Sequence, residues 1–171
     1  MKGWLAVAAG AALAGSPIPP KASEVPSIAD SWRLVSWERR APGGETTHPF
    51  GHAPGGQLIY TADGRVSVHL LDPSRPAFAS GAFLEGTDDE VRDAFEGYFG
   101  YFGSYTLEGD PSAEGGVVTH HVEGSAFPNY TGIDRVWTAT LRGPRLTLET
   151  ARDPGDSPDA SYRVVWEQAS H

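Results

Sequence analysis

The sequence contains no cysteine in 171 residues, which excludes disulfides, thiolate nucleophiles and cysteine-ligated zinc or iron–sulfur centres. Lysine is nearly absent too: Lys2 and Lys21 are the only two. The formal net charge is −9, and without residues 1–22, which hold both lysines and no acidic residue, it becomes −11. Such a surface repels phosphate backbones and anionic lipid heads, and the remaining arginines form no stripe, so nucleic acid is not an expected partner. Long hydrophobic runs are missing as well. The longest, Trp4–Leu13, falls short of the roughly 20 apolar residues a spanning helix needs, so no integral membrane segment is expected. No Gly-x-Ser-x-Gly elbow, Walker motif or dinucleotide-binding glycine pattern occurs, which leaves triad hydrolysis and nucleotide chemistry without a sequence signal. No cofactor is expected.

What is plentiful is glycine (21), proline (14) and aromatic residues (11%). They punctuate short apolar runs, the composition of many short strands joined by turns. The opening MKGWLAVAAGAALAG has a lysine, an apolar run and an Ala-Leu-Ala small-residue pattern. It reads as a short secretory signal or else as an Ala-rich leader over 1–22, followed by a proline-rich linker over 23–30 and one domain over 31–169. With a signal the protein would be secreted or periplasmic; without one, cytoplasmic.

Eight segments carry strand patterns: Trp32–Glu38, Gly56–Ala62, Arg65–Leu71, Gly103–Glu108, Gly116–Glu123, Ile133–Leu141, Arg145–Thr150 and Ser161–Gln168. One helix interrupts them between strands three and four. Thr87-Asp88-Asp89-Glu90 is a capping box, and Val91, Ala94, Phe95, Tyr98, Phe99 and Phe102 follow at helical spacing as one wide apolar face. Long and short connections alternate along the chain. If neighbours pair in sequence, the long ones gather at one end, which predicts an all-β fold: an eight-stranded up-and-down antiparallel barrel with a closed floor and an elaborated mouth. A two-sheet sandwich is the rival, because sequence does not reveal closure.

Strand alternation then assigns side chains to faces. The inward sets include Leu58 and Tyr60, Tyr105 and Leu107, Val118, His120 and Val122, Arg135 and Trp137, and Tyr162, Val164 and Trp166; Val35, Trp37 and Ile59 fall on the outer set. Adjacent residues on a strand point to opposite faces, so His120 faces in and His121 out, and the pair cannot ligate one metal without a bulge. His48 and His52 have no third ligand at a useful spacing, and no metal is expected. His120 and Arg135, joined by Tyr60, Tyr105 and Tyr162, form a polar group inside an apolar cup, with Trp137 in the wall and Phe127 and Tyr130 as rim residues; these are the candidate ligand-binding residues. Ordinary structural roles compete: Arg135 packed on a tryptophan, His120 hydrogen-bonded to a tyrosine.

Together the segments SWRLVSWE, HPFG, GQLIYTADGRVSV, RPAFASG, AFEGYFGYFGSY, VTHHVEGSAFPN, TGIDRV and RLTLET resemble the bacterial and fungal lipocalin-like domain proteins over Ser31–Glu167. Trp32 matches the tryptophan of the lipocalin Gly-x-Trp signature, although Asp30 replaces the glycine. The resemblance implies a calycin-type barrel with a ligand cavity, and families of this kind include carriers and enzymes of specialised metabolism. Two functions follow as expectations. One is a carrier of a small hydrophobic molecule. The other is a cofactor-independent isomerase or cyclase acting on a polyketide- or terpenoid-like substrate, in which His120 moves a proton, Arg135 stabilises a developing oxyanion and Tyr60 donates a hydrogen bond. A barrel filled by its own Trp32, Trp137 and Trp166 would do neither.

Overall fold

β1 (Ser31–Arg40) is the strand on which the fold closes, and it has neighbours on both sides. In the computed structural model, which describes residues 27–150 and 160–169, it is followed by β2 (Thr46–Thr47), β3 (Gly55–Tyr60) and β4 (Arg65–Leu71). The helix α1 (Asp88–Glu96) precedes β5 (Tyr98–Asp110), β6 (Gly115–Ser125), a 3₁₀ turn over Pro128–Tyr130, β7 (Asp134–Arg142), β8 (Arg145–Thr150) and β9 (Ser161–Gln168). All pairings are antiparallel: the short β2 lies on the edge of β1, β1 pairs with β3, and from β3 to β9 each strand pairs with the next in sequence. The ladder is completed by β1 with β9, from Trp32↔Gln168 to Arg40↔Ser161. The sheet is a closed eight-stranded barrel, and the sandwich alternative does not apply. The expected leader lies outside the described residues. None of the described helices is long and apolar enough to cross a membrane.

The helix needs two corrections. The two-residue β2 adds a strand to the count, so α1 lies between the fourth and fifth strands rather than the third and fourth. It is also shorter than its spacing suggested. The capping box forms, with Glu90 N donating to Thr87 Oγ1 at 3.3 Å and Thr87 N to Glu90 Oε2 at 2.7 Å, but the helix stops at Glu96 and Gly97 caps it. Tyr98, Phe99 and Phe102 pair instead with β4, in the registers Leu71↔Tyr98, Leu70↔Phe99 and Ser67↔Phe102. An aromatic-rich run satisfies both periods for a few residues, and ladder pairing decided between them. No residue of α1 is buried.

Inside, the predicted alternation holds. Trp32, Leu58, Tyr60, Val118, His120, Leu146 and Trp166 are buried, while Tyr105, Leu107, Ile133 and Tyr162 are partly buried against the same core. Short connections lie at one end, and the Trp32 indole N–H donates to Ile28 O at 2.9 Å there, drawing the fully buried Ile28 under the floor. Trp37 is a further correction. A register irregularity between Leu34 and Ser36 shifts the alternation by one residue, so Trp37 pairs with inward-facing Val164 and turns into the barrel. A second irregularity lies beside Gly103, opposite Val122. A Cβ on Gly103 would overlap the backbone carbonyl of His121. Gly103→Ala is therefore expected to lower stability by on the order of 2 kcal/mol or more, as a shift in urea midpoint.

Candidate ligand-binding site

Seven strands and the β6–β7 loop meet at a cavity of about 140 Å³ in the mouth half of the barrel. Its wall is largely aromatic: Trp37 from β1, Phe99 and Tyr101 from β5, Trp137 from β7, Tyr162 and Trp166 from β9, and Tyr130 from the β6–β7 loop. Val68, Leu70, Leu148 and Val164 complete the apolar part. Among the described residues that line it, His120 and Arg135 are the side chains that would be ionisable in water at neutral pH, and they are register partners on β6 and β7.

His120 is fully buried. Its Nε2 lies 2.5 Å from Tyr60 Oη and its Nδ1 2.7 Å from Tyr101 Oη, so the ring is held between two phenols. Burial above all, and then electrostatic interaction with Arg135 and His121, lower its pKa to about 3. The imidazole is neutral at physiological pH. Tyr60 is driven the other way, well above the usual tyrosine range, by burial and then by Tyr101 and Tyr105. His121 points outward as expected and lies 2.7 Å from Asp134 Oδ1.

Arg135 is 6% exposed and sits among aromatic faces. Its guanidinium carbon is 4.8 Å from the Tyr130 ring centroid, 4.9 Å from Trp137, 5.1 Å from Tyr101 and 5.3 Å from Phe99. The ring faces carry partial negative charge and stabilise a cation that has left bulk water. Phe99 and Tyr101 of this cage come from the run that read as helix.

The structure thus brings His120, Arg135, Trp137, Tyr162 and Tyr130 to one cavity. Tyr60 lies beneath His120 and does not line the cavity. Tyr105 packs on Tyr60 with ring centroids 4.6 Å apart and donates to Thr61 O, away from it. Phe127 lines a separate groove outside the mouth, which shares Trp37, Phe99 and Tyr130 with the cavity wall. Sequence reading missed Trp37, Phe99 and Tyr101. The parity signal for Phe99 and Tyr101 was available once β5 is extended backward from Tyr105, whereas nothing in the sequence announces the β1 irregularity. His48 and His52 approach to 4.1 Å between ring centroids, and no group of three or more metal-ligating side chains forms among the described residues.

A model of the lipocalin-like domain matches residues 30–169, the whole of the barrel. The chain belongs to the lipocalin-like domain family. One curated relative is the 4'-hydroxy-3'-methoxypropiophenone carrier protein ppsC of Aspergillus oryzae, 32% identical over 87 residues that make up 50% of this chain and 78% of that protein. Within this lipocalin-like chain the depressed His120 pKa has a consequence for stability. Unfolded His titrates near its ordinary value of 6.5, while folded His120 stays neutral down to about 3. The unfolded chain therefore binds the extra proton across that window, and stability falls as pH drops through it, by up to about 1.4 kcal/mol per pH unit. His120→Gln is expected to flatten the fall in urea midpoint between pH 6 and 4.5.

Proposed function

We propose that the barrel binds and carries a small apolar molecule built on a single aromatic ring. The observation that carries this reading is the cavity itself: about 140 Å³ walled by aromatic rings, with Arg135 and the Tyr101–His120 pair at one side. An apolar cavity of about this size accommodates a benzene-sized ring and is too small for a steroid, retinoid or long acyl chain. The wall rings offer edge and face contacts to such a guest, worth about 0.5–1.5 kcal/mol per pair beyond area burial. The relative's name agrees in kind, since a propiophenone is a single benzene ring with a short ketone chain. The barrel's own tryptophans leave this space unfilled.

The isomerase or cyclase alternative asks His120 to take and return a proton. A histidine with a pKa near 3 and both ring nitrogens engaged by tyrosines is a weak base at neutral pH, which favours binding over turnover.

Tryptophan fluorescence provides the test, because Trp37, Trp137 and Trp166 all line the cavity. Single-ring alkyl-aryl compounds are expected to perturb the emission saturably, and retinol or palmitate to leave it unchanged. Val68→Phe should fill the space, keep the barrel folded by circular dichroism, and weaken single-ring binding by at least about tenfold, since overpacking a cavity costs a guest its room. Unchanged binding in Val68→Phe would place the guest elsewhere, and recovery of chemically altered compound would restore the enzyme reading.

A further inference from the structure

We propose, resting on the single-ring reading of the guest, that the groove outside the mouth is a second, outer site for the same class of compound, from which a guest reaches the cavity by displacing Phe99.

Trp37, Phe99 and Tyr130 line the cavity and the groove alike, so one layer of rings stands between the two spaces. The groove encloses about 320 Å³, room enough for a single ring, and three elements supply its own apolar lining. Pro49 and Phe50 come from the β2–β3 connection, Phe95 from α1 and Phe127 from the β6–β7 loop. Glu96 is the one ionised side chain among the described residues that line it. Phe95 is 52% exposed, because α1 ends here with none of its residues buried. A neutral aromatic guest that covers this ring removes apolar area from water on both partners, which is what draws it to the groove.

Two of the three shared rings are anchored. Tyr130 is 7% exposed, and its ring is the nearest of the four around the Arg135 guanidinium carbon, at 4.8 Å. Trp37 sets its indole edge-on against Phe50 at 4.7 Å and stacks on Tyr162 at 6.0 Å. Phe99 is held less closely. It is partly buried, its ring centroid lies 5.7 Å from Tyr101, 5.7 Å from Tyr130 and 6.1 Å from Trp37, and its 5.3 Å to the guanidinium carbon is the longest of the four. A phenylalanine side chain has no polar atom, so no hydrogen bond breaks when it turns. Phe99 is therefore the leaf of the partition, with Trp37 and Tyr130 as its frame.

A side chain that touches the guest on its way but not at rest changes loading and unloading by the same factor. Phe95 and Phe127 line the groove and not the cavity. In stopped-flow tryptophan fluorescence with acetophenone, Phe95→Asp and Phe127→Asp, each folded by circular dichroism, should slow association and dissociation together by about fivefold. Phe83→Asp places the same charge on an exposed phenylalanine that does not line the groove and should leave both rates as in the wild type. Wild-type rates in either groove variant overturn the outer site. Faster dissociation alone makes the groove part of the resting site and overturns the path. The leaf is tested without ligand: in ¹³C relaxation dispersion the Phe99 ring should exchange on the microsecond to millisecond timescale while Trp137 and Trp166 do not, and a flat Phe99 profile overturns its role. Failure of the wild type to bind acetophenone overturns the single-ring reading and the outer site with it, while the dispersion profile still decides whether Phe99 moves.

Discussion

The ladder between β1 and β9 is the constraint on which the rest of the structure depends. Eight strands paired in sequence make a twisted sheet with two free edges, and such a sheet has two faces but no inside. Pairing Trp32↔Gln168 through Arg40↔Ser161 removes both main edges. Once the sheet is closed, one face of every strand is committed to a shared interior. The acidic surface and the aromatic interior then become properties of two different places.

Closure also makes parity matter, because a one-residue slip would move a whole set of side chains from core to solvent. The barrel uses two local irregularities to change parity where the mouth needs it. The one in β1 turns Trp37 inward, where it stacks against Phe99 and Tyr162 at centroid distances of 6.1 and 6.0 Å. The one beside Gly103 lies in the β5–β6 ladder, where Phe102 pairs with Gly124 and Gly103 with Val122. The place of Trp37 in the cavity wall therefore depends on a departure from regular pairing, whereas the lower core follows regular alternation.

Burial of charge follows the same division. Arg135 remains inside because ring faces on several elements surround its guanidinium, and His120 remains inside by giving up its charge, with a phenol on each nitrogen. Each is the other's neighbour across the β6–β7 ladder, and the cation helps keep the imidazole neutral. A polar side is thus maintained in an otherwise apolar cavity, with no carboxylate among the described residues that line it.

Much of this was legible beforehand. Alternation identified the eight strands and separated His120 from His121, because a strand's two-residue period is a local property of the backbone. Unequal loop lengths indicated which end would be the mouth. Composition excluded thiol chemistry. Other features required the folded chain. The run Tyr98–Phe102 satisfies helical spacing as well as strand pairing, and only its ladder with β4 decided for strand. Trp37 was assigned outward because a register shift leaves no mark in sequence. Tyr60 and Tyr105 have the same inward parity as His120, yet depth along the barrel axis places them below the cavity, and depth depends on how strands stagger on closing. The sequence by itself determined which residues could face inward; only the tertiary structure decided which of them share one level of the barrel, because stagger and bulges arise from pairing between distant segments.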